Sequence, residues 1–232
     1  MRHIPNFITS LNLASGFIAI IFIFNGDPLT ASWIILAAMV FDFLDGFASR
    51  LLHAYSDMGK ELDSLADMVS FGAAPGLLIY SLLTKSAVQA ELPIKIGIIA
   101  VSAFFPVCAG LRLAKFNIDT TQTTSFKGLP TPAGALAVVS VILSASYSDS
   151  ALIRSFTASQ ISVILFSLIL SGLMVSRIPL LSLKFHDLKL KGNEGRFILV
   201  LLSVASVAIF GITGITLIIP VYIAISVLSL LF

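Results

Sequence analysis

The chain reads as an all-α, polytopic transmembrane helix bundle of about eight spans with its N-terminus in the cytoplasm. Three observations carry that expectation. Of 232 residues, 57% are hydrophobic and only 11% charged, against about 25% charged in an ordinary soluble domain. Polar side chains are therefore too few to cover a water-facing surface. Apolar runs near the roughly 20 residues that cross a bilayer recur along the chain. Lys and Arg, which cytoplasmic loops retain, are divided unevenly between alternate interspan segments.

The first span covers about 7–25. Arg2 and His3 ahead of it give it the look of a signal peptide. However, it contains Asn12 and leads into Asn25-Gly26-Asp27-Pro28 with no small-residue cleavage pattern, so it reads as retained. Past that turn the second span runs over about 29–52, and the third and fourth cover 61–83 and 94–114. The fifth and sixth cover 130–147 and 158–180. After Gly192-Asn193 come 196–211 and 213–231, two spans close enough to form a tight hairpin near Thr213-Gly214. Interspan segments are short, so residues 1–232 form a single transmembrane domain with no repeat. With the N-terminus in the cytoplasm, eleven cations fall on that side: Arg2, Arg50, Lys60, Arg112, Lys115, Lys127, Arg177, Lys184, Lys189, Lys191 and Arg196. Lys85, Lys95 and Arg154 fall on the other. This predicts a multi-pass protein of the cell (inner or plasma) membrane.

Some functions are set aside by composition. The net charge is +2, with no basic run or aromatic platform, so no nucleic-acid partner is expected. Cys108 is single and sits in an apolar stretch, as a packing residue would. His3, His53 and His186 have no ligand-like spacing. Lys184, Lys189 and Lys191 read as a positive-inside feature rather than a site.

The chemistry-bearing residues cluster where the second span ends and the third begins. Asp42 and Asp45 are i,i+3 neighbours, and Asp63 and Asp67 are i,i+4 neighbours, so each pair shares a helix face. The short loop at about 51–58 makes the two helices antiparallel and brings the pairs together. Carboxylates at membrane depth are costly and mark function by default. Solvation at a loop end suits Asp57 and Glu61 but not Asp42 and Asp67, which have apolar residues on both sides. Close carboxylates repel unless a cation lies between them, and hard oxygen donors suit Mg²⁺, Mn²⁺ or Ca²⁺ better than Zn²⁺. Gly46 and Gly59 allow close approach of another group to the backbone. A flat nucleotide base would be such a group, and for Gly46 plain helix packing is an equal alternative. Arg50 could pair with a phosphate.

Residues 42–67 resemble the signature of the CDP-alcohol phosphotransferases, D-x2-D-G-x2-A-R-x8-G-x3-D-x3-D. Every spacing is met, and the one departure is Ser49 in place of Ala. The resemblance implies transfer of a phosphoryl-linked group from a CDP-linked donor to an alcohol, with release of CMP. It implies that Asp42, Asp45 and Asp63, helped by Asp67, hold a divalent metal pair (Mg²⁺ or Mn²⁺), with Asp67 as the general base. It also implies that Gly46 and Gly59 give cytidine room and that the enzyme is a homodimer. The N-terminal Pro5-Asn6-Phe7-Ile8-Thr9-Ser10-Leu11-Asn12 is similar to the family's P-N-x2-T-x2-N opening. Asn6, Thr9 and Asn12 would then line the nucleotide site alongside Asp42, Gly46, Arg50 and Gly59. An N-cap and a buried satisfied amide are the plainer readings of Asn6 and Asn12.

Two further segments resemble the phosphatidylserine-forming branch of the family. They are Arg112-Leu113-Ala114-Lys115-Phe116-Asn117 and Phe126-Lys127-Gly128-Leu129-Pro130-Thr131-Pro132. The likeness runs from residue 4 to about 135, taken as the catalytic core, and beyond it only hydropathy matches. It implies CDP-diacylglycerol as donor, presented from membrane lipid, and L-serine as acceptor, with Arg112, Asn117, Lys127 and Thr131 as candidate acceptor contacts. Interfacial anchoring is an even alternative for Lys115 and Lys127. Glycerol 3-phosphate, an inositol phosphate or choline as acceptor keeps the same reaction. Only three cations and no Arg cluster follow the fourth span, which mildly favours serine. A cation transporter would place carboxylates near mid-membrane and on both halves of the bundle. An inert lipid-binding scaffold would have no use for the full acidic signature.

Overall fold

The helix boundaries follow local chemistry. The computed structural model describes residues 3–85, 91–118, 126–181 and 193–229. Helix α1 (His3–Phe24) stops at Asn25-Gly26, where Gly26 takes φ +77°, a conformation open to glycine at little cost. The Asp27 side chain then accepts a hydrogen bond from the Thr30 N–H at 2.9 Å, and Pro28 opens α2 (Pro28–Leu51). These two helices pack along each other as a hairpin. After residues 52–56, Ser56 caps α3 (Asp57–Asp67) by accepting from the Gly59 N–H at 3.0 Å. The helix does not end at Asp67. It passes through a π-helical turn (Met68–Ala73) into α4 (Ala74–Lys85).

That π turn is where α1 docks. A Cβ on Gly16 would lie 2.7 Å from the Ser70 Cα, so only glycine permits this approach. Ser70 Oγ donates to the Asn12 carbonyl at 2.9 Å. Asn12 is thereby fixed one helical turn from the close contact, beside Asp67.

Helix α5 (Leu92–Ile118) contains Pro106, against which Gly76 of α4 packs with no room for a side chain. The short strand β1 (Phe126–Lys127) pairs antiparallel with β2 (Pro179–Leu180), Lys127 facing Pro179. Gly128 follows at φ +80°, and a Cβ there would lie 2.6 Å from the Met174 carbonyl oxygen. Leu129 is fully buried, and Pro130 leads into α6 (Thr131–Tyr147). Helix α6 is the centre of the bundle, burying Ala135, Val138, Val139, Ile142 and Leu143 against α2, α4, α8 and α10. Helix α7 (Ala151–Ala158) turns away from it by 120°, and α8 (Gln160–Val175) follows.

Residues 194–228 are helical without a gap, yet they fold back on themselves. Helix α9 (Glu194–Phe210) ends at Gly211, φ +61°, and a 3₁₀ turn (Gly211–Gly214) leads into α10 (Ile215–Leu228). A Cβ on Gly195 would lie 3.7 Å from Ile225, which places the two helices side by side and antiparallel.

The fold is all-α apart from the two-residue ribbon. Among the described residues, five helical runs are long and apolar enough to cross a membrane, with the folded-back run 194–228 counted once, and six if α6 and α7 count as one bent span. Large apolar side chains such as Phe17, Val107, Leu201 and Ile209 point outward, as expected of a lipid-facing surface. Three features depart from expectation. The sixth apolar run is helical only to Val175, because Pro179–Leu180 is used as a strand. Helix α7 lies in a stretch expected to be loop and span edge. The third run carries the π turn. Arg2, Lys184, His186, Lys189 and Lys191 lie outside the described residues.

Candidate active site

Two helix ends supply the acidic groups. Asp42 and Asp45 come from the last turns of α2, and Asp63 and Asp67 from α3. One carboxylate oxygen each from Asp42, Asp63 and Asp67 lies within 4.8 Å of the other two. Asp45 is buried but stands outside this trio, beside the Thr9 hydroxyl. Asp42 and Asp63 are each in electrostatic contact with both Asp45 and Asp67.

Several polar atoms here are left over. Asp45 Oδ2, Asp63 Oδ1 and Asn12 Oδ1 are buried without a hydrogen-bond partner. Among the described residues no Lys or Arg forms an ion pair with the trio. Converging oxygen donors with orphaned lone pairs, which Arg112 approaches without forming an ion pair, fit a hard divalent cation. The residues that would hold it are Asp42, Asp63 and Asp67, with Asp45 adjoining.

Helix α1 lays one face over the cluster. Asn12 Nδ2 donates to Asp67 Oδ1 at 3.4 Å. Thr9 is buried, with its hydroxyl donating to the Pro5 carbonyl at 3.0 Å. The place where Gly59 would carry a Cβ is 3.0 Å from Asn6 Oδ1, so Gly59 admits Asn6. The spacing 6, 9, 12 is three residues each time, one stripe of a helix. Gly46 is different. Only Arg50 Nη1, at 3.9 Å, borders the position of its missing Cβ, and the space above it is open.

Arg112, at the end of α5, joins this cluster to a second feature. It is buried, faces Asp67 and Asp42, and donates from Nη1 to Thr131 Oγ1 at 3.2 Å. Its guanidinium lies 5.7 Å from the centre of the Phe116 ring, and its Nε has no partner. Beyond it opens a cavity of about 420 Å³. Among the described residues, Arg112, Lys115, Lys127 and Arg177 line it together with Phe116 and Met174, and no carboxylate does.

The four candidate acceptor contacts are placed unequally. Arg112 and Lys127 line the cavity. Thr131 is fully buried and supports Arg112 from behind. The Asn117 side chain is turned to α3, donating to Ser64 Oγ at 2.8 Å, while its carbonyl accepts from Lys60 Nζ at 2.7 Å. Arg177 was not singled out from the sequence. It joins Lys127 only through the ribbon, and nothing in its local sequence signals that pairing.

Helix ends gathering acidic residues beside a cationic cavity belong to a membrane enzyme that handles phosphate esters. The profile of the CDP-alcohol phosphatidyltransferase family matches residues 2–175. This chain belongs to that family. A CDP-diacylglycerol–serine O-phosphatidyltransferase of Bacillus subtilis is 38% identical over 186 residues, covering 80% of this chain and 94% of the relative. A Helicobacter pylori protein of the same name is 32% identical, over 98% of this chain and 91% of its own. An archaetidylserine synthase of Methanothermobacter thermautotrophicus is 34% identical, over 71% of this chain and 67% of its own.

Charge balance in the trio gives a thermal test. Without divalent cation, Asp63→Asn should raise the melting temperature in detergent by removing one repelling charge. Saturating Mn²⁺ should stabilise the native chain by about 2–3 kcal/mol at a hundredfold excess over Kd and do little for the variant. Equal stabilisation of both by Mn²⁺ would refute the assignment.

Proposed function

We propose that the chain transfers the phosphatidyl group of CDP-diacylglycerol to the hydroxyl of L-serine, releasing CMP. The observation that carries this reading is the shared position of Arg112, between a three-carboxylate cluster and a cationic cavity. A phosphoanhydride and an amino acid would each find its complement on one side of that residue. The names of the relatives point to the same donor and acceptor.

Each group has a task. Asp42, Asp45, Asp63 and Asp67 would hold a pair of Mg²⁺ or Mn²⁺ ions. Bound metal supplies neutralisation of diphosphate charge. The open space over Gly46 receives the cytosine ring. Asn6, Thr9, Asn12, Asp42 and Gly59 border the nucleotide, and Arg50 reaches a phosphate from the exposed end of α2. Arg112 and Lys127 hold the serine carboxylate, with Thr131 fixing the guanidinium. Asp67 takes the proton of the serine hydroxyl as its oxygen attacks the lipid-bearing phosphorus. The phosphoanhydride bond to CMP breaks, and CMP leaves with those electrons. Asn117 acts by joining α5 to α3 across Ser64.

One observation favours a second acceptor class. Arg177 brings a fourth cation and a second Arg to the cavity, so sparse charge no longer argues against a phosphorylated alcohol such as glycerol 3-phosphate. CMP release from CDP-diacylglycerol by purified protein separates the two. Serine should support turnover, and glycerol 3-phosphate, inositol phosphate and choline should not. Asp67→Asn should lose at least about a thousandfold in turnover while still binding CDP-diacylglycerol. Absence of serine-dependent release, or substantial activity in Asp67→Asn, would reject the corresponding claim.

We further propose eight spans in the inner or plasma membrane with the catalytic end and the N-terminus cytoplasmic: α1, α2, α3–α4, α5, α6, α8, α9 and α10. Arg112, Lys127 and Arg177 gather at the catalytic end, whereas Lys85 lies at the other, beside Thr157. In a Cys108→Ala background, an impermeant maleimide should label Asp149→Cys on intact cells and Tyr55→Cys only after permeabilisation. The reverse pattern would invert the topology.

A further inference from the structure

The family match ends at residue 175, but the cavity does not. Ser176 and Arg177 line it too, and the described segment 176–181 that carries them is not helical. The Gly128 N–H donates to the Ile178 carbonyl at 2.9 Å, and the ribbon sets Lys127 against Pro179. Past the ribbon, both backbone groups of Leu181 are taken by side chains of α10. Its N–H donates to Ser226 Oγ at 3.1 Å, and its carbonyl accepts from the Tyr222 hydroxyl at 3.0 Å.

Tyr222 and Ser226 are i,i+4 neighbours on one face of α10, both buried. Ser226 Oγ in turn donates to the Tyr222 carbonyl at 2.7 Å, which fixes its rotamer. The start of α9 closes over the same residue, since a Cβ on Gly195 would lie 3.6 Å from Leu181. Tyr222 also lies within electrostatic reach of Arg112. Two of the three polar side chains of α10 are thus spent on one backbone residue, four positions past Arg177. A helix that served only to fill the membrane would not carry them there.

We propose that the α9–α10 hairpin is a specificity element of the acceptor site. Tyr222 and Ser226 act as positioning residues that hold segment 176–181, and so hold Arg177 against Lys127 at the anionic group of the acceptor. This rests on the acceptor reading of the cavity given above. It assigns acceptor selection partly to residues beyond the family match, while the donor and metal groups stay on α1–α3.

Steady-state kinetics on Tyr222→Phe, Ser226→Ala and Arg177→Ala test it, each substrate being varied with the other saturating. Removing one neutral hydrogen bond corresponds to about three- to tenfold. The serine KM of Tyr222→Phe and of Ser226→Ala should rise by that factor. The CDP-diacylglycerol KM, kcat and melting temperature should stay near those of the native chain. Arg177→Ala should raise the serine KM at least as much, and adding Tyr222→Phe to it should change little more, because both act through one side chain. An unchanged serine KM, a fall in kcat and melting temperature with both KM values unchanged, or full additivity with Arg177→Ala would overturn the proposal. If the native chain uses another alcohol instead of serine, the acceptor reading fails, and the same comparison with that alcohol decides this one.

Discussion

Mutual repulsion among Asp42, Asp63 and Asp67 is the constraint around which the catalytic end is arranged. Three carboxylate oxygens within 4.8 Å of one another would drive α2 and α3 apart if nothing opposed them. The short connection between these helices keeps their ends close, and α1, which packs on both, holds them in place. Gly16 seats α1 on the π turn, Ser70 binds the Asn12 carbonyl, and the Asn12 amide reaches Asp67. The π turn begins at the residue after Asp67, so the local helix distortion and the acidic site are one feature. π turns are frequent at functional sites. What remains unbalanced is the charge itself, and a divalent cation is the complement the donor set fits.

The second half of the site is built on the same economy of contacts. Arg112 belongs to the acidic cluster by its charge and to the cavity by its position. Thr131 and the Phe116 ring orient it. Thr131 is itself placed by the preceding Gly128 turn and the buried Leu129, so the segment Phe126–Pro132 does structural work that ends on one guanidinium. On the proposed reading, acceptor and donor meet across this one cation, which would hold them close to each other.

The helical fold was legible because hydropathy over about 20 residues is a strong signal, and the four Asp positions were legible because their spacing is local. Asn12, Thr9 and Asn6 fell on the stripe facing the cluster, as a three-residue spacing on one helix implies. Asn12 is a buried amide satisfied on one side only, its NH₂ donating to Asp67 and its oxygen unpartnered. Other features left no local trace. Two-residue strands are too short to show alternation, so the pairing of 126–127 with 179–180 and the convergence of Arg177 on Lys127 could not be read. The π turn has the composition of an ordinary apolar helix. Helix α7 is eight residues long with Arg154 in it, and such a segment reads as loop. In the sequence, Asn117 falls among the acceptor contacts only through its neighbourhood to Arg112. Five residues round a helix point elsewhere, and the structure turns it to Ser64.

Anomalous diffraction from crystals soaked in Mn²⁺ would test the central claim most directly. A peak is expected within about 2–2.6 Å of an oxygen from each of Asp42, Asp63 and Asp67, with Asn12 still on Asp67. Manganese bound elsewhere, with the three carboxylates bridged only by water or shared protons, would contradict it.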